Sequence, residues 1–90
     1  MIMSSQYRVH VFLVGFDEGR ASELRSILKI YHNSQGNEYF KNVLRRAHAS
    51  ERVAIYETNN DIDAMRVAQS FLRAGARIEV DGLADQEAPF

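Results

Sequence analysis

The chain has no cysteine and no tryptophan, and it carries one proline and five glycines in 90 residues. Without cysteine there is no disulfide scaffold, no thiolate metal site and no thiol nucleophile, and the absence agrees with a reducing compartment. So few Pro and Gly beside 46% apolar residues exclude a disordered chain and fit one compact domain, with no room for a second. Charge of one sign is also missing: eleven Lys plus Arg against twelve Asp plus Glu leave a net of −1. That removes any whole-chain attraction to nucleic acid or an anionic membrane, so a charge argument has to be local. No apolar run approaches the roughly 18 residues of a membrane span. Met1-Ile2-Met3-Ser4 lacks the basic and apolar regions of a signal peptide, so the expected location is the cytoplasm. There is no internal repeat, and no reaction motif.

What is present is a readable alternation of periods. Tyr7, Val9, Val11 and Leu13 fall on one side of a pleat, with Arg8, His10, Phe12 and Val14 on the other, which predicts a strand over 7–14. Gly15-Phe16-Asp17-Glu18-Gly19 supplies turn chemistry, with Asp17 as N-cap of a helix whose stripe is Leu24, Ile27, Leu28 and Tyr31. The polar link Asn33-Ser34-Gln35-Gly36-Asn37 leads to a second helix with the stripe Phe40, Val43, Leu44 and Ala47. A short β-forming run over 52–57 follows. Asn60 then caps a third helix with the stripe Ala64, Val67, Ala68, Phe71 and Leu72, and Gly75 stands where a left-handed residue closes it. Residues 76–81 alternate again. A flexible N-terminus is expected at 1–6, one domain at 7–82 and a frayed acidic tail at 83–90.

The order is β-α-α-β-α-β, and a count of directions sets the sheet. Two helices bring the chain back to a second strand antiparallel to the first, and the single helix after it makes the third strand parallel to the second. The first strand therefore belongs in the middle, in the order 2-1-3. Three helices with one stripe each cover a single face, giving an α+β fold built as a two-layer α/β sandwich. The open face would carry an apolar centre at Phe12, Val14 and Tyr56. Scattered surface apolar residues account for such a patch; the functional alternative is a homodimer or partner contact there.

Charge is segregated along the chain. Residues 20–52 hold seven basic groups against three acids, and residues 53–90 three against seven. The helical hairpin is basic through Arg25, Lys29, Lys41, Arg45 and Arg46. Solvated helix faces explain this; an acidic protein partner steered to the patch is the functional reading. RNA phosphates are a weaker alternative, because few aromatics are interleaved. His10, His32 and His48 lie apart, so no metal site is expected. Asp61 and Asp63 read as first-turn helix carboxylates rather than an acid/base pair. Gly15 and Gly19 have neither spacing of a phosphate loop, and no cofactor is implied.

The element order, closing on Ala74-Gly75-Ala76-Arg77-Ile78-Glu79-Val80, resembles the C-terminal domain of the bacterial ribosomal stalk protein, which typically ends in an Ala-Gly-Ala-x-Val-Glu-Val run. The related Clp protease adaptor shares that fold. The stalk resemblance implies partner binding through the two-helix segment, with Lys41 and Arg25 at positions of the family's basic residues and Leu28 where it carries an arginine. The adaptor resemblance implies capture of a substrate protein's N-terminal amine, with Phe16-Asp17-Glu18 in place of an Asn-Asp-Asp group and His48 in place of its histidine. The expectation is thus a non-enzymatic protein-binding domain that uses the basic hairpin on an acidic partner. Amine capture by Asp17 and His48 is one alternative, and an RNA-binding accessory domain another.

Overall fold

A computed structural model describes residues 7–83. The flexible N-terminus expected at 1–6, and all but Leu83 of the tail expected at 83–90, lie outside the described residues. The chain runs β1 (Val9–Phe16), a short 3-10 turn (Glu18–Arg20), α1 (Ala21–Tyr31), α2 (Asn37–His48), β2 (Val53–Thr58), α3 (Asp61–Arg73) and β3 (Ala76–Asp81). The sheet order is β2-β1-β3 with both pairings antiparallel, the arrangement that the direction count requires.

The core lies between the sheet and the helices. Val9, Val11 and Leu13 of β1 are completely buried, as are Leu24 and Leu28 of α1 and Ala64, Ala68 and Phe71 of α3; Phe40, Val43 and Ala47 complete it from α2. Each Val, Leu or Phe side chain among them contributes about 1.5–3 kcal/mol when fully withdrawn from water. The helix ends follow the sequence. Asn60 Oδ1 accepts from the Asp63 N–H at 3.0 Å, and Gly75 sits at φ +89° just past α3, where a side chain would be strained. Asp17 caps the 3-10 turn rather than α1: its Oδ1 accepts from the Gly19 N–H at 3.1 Å, and α1 starts only at Ala21.

Two boundaries differ from expectation. β1 continues through Gly15 and Phe16, because these pair with Arg77 and Ala76 of β3. Leu83, assigned to the tail by the sequence reading, is only 8% exposed and belongs to the core cluster. Arg8 staples this end of the domain, its guanidinium donating to the Gly82 carbonyl at 2.6 Å and to Asp61 Oδ1 at 2.8 Å.

Two bulges rearrange the faces. Along β1–β2 the register passes from Val11↔Tyr56 to Phe12↔Ala54, so Ile55 is an extra residue and Tyr56 shares the face of buried Val11. This corrects the expected open face. Tyr56 points to the helices, where its hydroxyl donates to Asp63 Oδ2 at 2.7 Å and its ring meets Tyr31 edge-on at 5.6 Å. Along β1–β3 the register passes from Leu13↔Ile78 to Gly15↔Arg77, so Val14 is the extra residue and Phe16 turns to the helix side opposite buried Ala76. Phe12 remains on the open face but is half-buried, with the Arg52 guanidinium 4.0 Å above its ring. The apolar centre supposed at Phe12, Val14 and Tyr56 is therefore not a continuous bare patch.

Candidate functional site

The basic hairpin is built by α1 and α2, which pack against each other, with α2 also on β1 and α1 also on α3. At 100° per residue, Arg45 and His48 fall within an arc of about 60° around Lys41, on one side of α2. Arg46 lies about 140° round the helix from Lys41, and its Nε is paired with Glu51 Oε1 at 2.8 Å. The two arginines that are adjacent in sequence therefore face different ways. Arg25 and Lys29 sit one turn apart on α1, the first half-buried and the second exposed. Among the described residues Arg25, Lys29, Lys41 and Arg45 form no ion pair. Arg45 instead donates to Asn42 Oδ1, three residues earlier on the same helix.

Lys41, Arg45 and His48 border a recess of about 420 Å³ between α2, the start of α1 and the end of β1. Its floor is apolar, made by Phe16, Ala21 and Leu44, and Glu18 supplies the one carboxylate at its rim. The His48 ring tilts over Phe16 with centroids 6.2 Å apart. His48 Nδ1 lies 3.2 Å from Glu18 Oε2, with both side chains more than half exposed. Asp17, the carboxylate that the sequence reading sets against His48, is occupied by its cap and makes no contact with that ring; the neighbouring Glu18 takes the place. Cations around an apolar floor suit a ligand that offers carboxylates beside an apolar side chain.

Sequence reasoning missed Ala21 and Leu44 as members of this site, and it placed Phe16 and Glu18 only as the positions flanking Asp17. The signal for Phe16 was Gly15, since glycine inside a strand marks a bulge that redirects the next side chain.

A second recess of about 420 Å³ lies along β2, between Tyr7, Tyr31, His32 and Tyr56. Its polar groups are engaged in holding the fold. The hydrogen bond to Asp63, then burial, then the neighbouring Asp63 charge push the Tyr56 hydroxyl up to about 12. His32 Nε2 donates to the Ile55 carbonyl at 2.5 Å. Burial also raises the Tyr39 hydroxyl above its ordinary value. Among the described residues no three His, Cys, Asp or Glu side chains gather as a metal site, and no helix is long and apolar enough to cross a membrane.

Comparison of the chain with protein-family models, with curated proteins and with solved structures finds no match in any of the three. The resemblance to the stalk and adaptor domains rests on the element order and the sequence correspondences given above.

Proposed function

We propose that this is a non-enzymatic protein-interaction domain that holds an acidic segment of a partner protein on its basic helical hairpin, with an apolar partner side chain seated in the recess. One observation carries the reading: Lys41, Arg45 and His48 share a helix face around a floor of Phe16 and Leu44, and among the described residues no carboxylate pairs with Lys41 or Arg45. Exposed cations of this kind steer association and lose strength as salt rises. The test is fluorescence anisotropy of a labelled peptide of alternating Asp and Glu with one central Phe, titrated with the full chain at several salt concentrations. Lys41→Glu with Arg45→Glu is expected to weaken binding by about tenfold or more, while Arg46→Glu, on the far side of α2, changes it less than about twofold. Equal effects from both variants, or tighter binding to an RNA oligomer at physiological salt, would overturn the assignment.

A second reading is favoured by Glu18 lying 3.2 Å from His48 beside the same apolar floor. A carboxylate and an imidazole there suit the ammonium group of a protein N-terminus, with Glu18 in the part first given to Asp17. Peptides differing only in N-terminal acetylation separate the two. Preference for the free amine, lost on Glu18→Gln, supports amine capture; indifference to acetylation supports the acidic-segment reading.

A further inference from the structure

The two edges of the sheet differ. On β2, the bulge at Ile55 interrupts the strand, His32 occupies the Ile55 carbonyl, and Val53, Ile55 and Thr58 are at most 8% exposed. Bulges and side-chain caps of this kind blunt an edge. On β3, no described strand lies beyond it, and its six residues pair with β1 on one side alone. Ile78 and Val80 share the face of fully buried Leu13 and Val11, yet they are only half-buried. An edge with unpaired backbone groups and incompletely covered apolar residues is a template for another strand.

We propose that β3 pairs with β3 of a second copy, antiparallel about a two-fold axis at Ile78, to give a continuous six-stranded sheet. The register follows from charge. Antiparallel partners share a face, so a two-fold pairing without a bulge must set one residue opposite its own copy. Arg77 on Arg77, or Glu79 on Glu79, opposes like charges directly, which destabilises the pair. With Ile78 on Ile78, Arg77 lies opposite the partner's Glu79 and Glu79 opposite the partner's Arg77. The open face then gains two cross-strand ion pairs, and the helix side joins Ile78 to its copy and Ala76 to the partner's Val80. Both charges must turn outward from β1 to meet the partner: Arg77, which makes no ion pair among the described residues, holds its guanidinium over Gly15. Glu79 accepts from Arg52 Nε at 2.8 Å through Oε1, leaving its second oxygen for the partner.

Sedimentation equilibrium of the full chain up to hundreds of micromolar tests this, with circular dichroism to establish that each variant is folded. The wild-type chain is expected to dimerise. Arg77→Glu alone and Glu79→Arg alone should each weaken self-association by about tenfold or more, because each creates like-charge pairs. An equimolar mixture of the two variants should dimerise again, since each chain then meets its opposite charge across the axis. The chain carrying both substitutions should also regain self-association. A wild-type chain monomeric throughout the range, a dimer that neither single variant weakens, or folded variants that fail to pair when mixed would overturn the proposal.

Discussion

The two sides of the same three strands are held by different physics. On the helix side, side chains such as Val11, Leu13 and Phe71 are removed from water altogether, and the gain scales with apolar area. On the open side there is no second layer among the described residues, and the strands cover themselves with charge. Arg52 lies over the Phe12 ring and reaches Glu79 at 2.8 Å, spanning β1 to join the outer strands. His10 Nδ1 lies 3.3 Å from Glu57, and Arg77 covers Gly15. Such exposed ionic contacts are each worth about 0–1 kcal/mol. The difference teaches that an apolar centre on a single-layer sheet is shielded by long cationic side chains whose stems and planar heads lie flat on it.

The sharpest way to break this comparison is to truncate a phenylalanine on each side. Phe71→Ala removes a fully buried ring and should cost about 3–5 kcal/mol, read as a shift of the urea midpoint at unchanged slope. Phe12→Ala, on the half-buried open side, should cost about 1 kcal/mol. Equal losses would mean that the open side is buried as deeply as the core, by an element outside the described residues or by a second chain.

A smaller effect sharpens the line between the sides at the residue that crossed it. Tyr56→Phe deletes the hydroxyl that donates to Asp63 and should cost about 1 kcal/mol. Its pH dependence carries a definite sign. The hydroxyl is raised from an ordinary 10.0 to about 12 in the folded chain, so the unfolded chain ionises first. The contribution is full below the unfolded value and is lost as pH rises from there through the folded one. Stability of the wild-type chain should therefore fall more steeply than that of Tyr56→Phe across this alkaline window. Parallel curves would show that the Asp63 bond does not persist in solution.

Tyr56 also marks where sequence reasoning stopped. The element order, the central β1, the stripes of all three helices, the Asn60 cap and the Gly75 terminator follow from period, cap chemistry and direction, each of which is local or additive. The faces of Tyr56 and Phe16 do not, because period two assumes an uninterrupted ladder and a single extra residue inverts everything beyond it. The basic residues of the candidate site were legible as a sum over the hairpin. Their division was not, since only helical angle separates Arg45 from Arg46. The carboxylate nearest His48 is that of Glu18 rather than Asp17, because the 3-10 turn holds the Asp17 side chain on the Gly19 N–H as a cap. The Leu83 anchor was hidden by its neighbours: one apolar residue ahead of Ala84-Asp85-Gln86-Glu87 has no period to declare it.

The smallest expected effect addresses the charged cover itself. Arg52 combines a cation–π contact with an ion pair, and both are solvent-exposed, so Arg52→Ala should lower stability by about 1 kcal/mol or less. Stability is the lesser readout, because the role ascribed to Arg52 is shielding. Removing it bares the Phe12 ring, and binding of an apolar dye such as anilinonaphthalene sulfonate should rise under conditions where the chain remains folded. Arg52→Lys separates the two functions: lysine keeps the charge for Glu79 but has no planar head to lie on the ring. Dye binding should therefore rise with Lys nearly as far as with Ala, while the stability loss with Lys stays smaller. If neither substitution raises dye binding, Phe12 is covered by something other than Arg52, and the open side is not a self-shielded face.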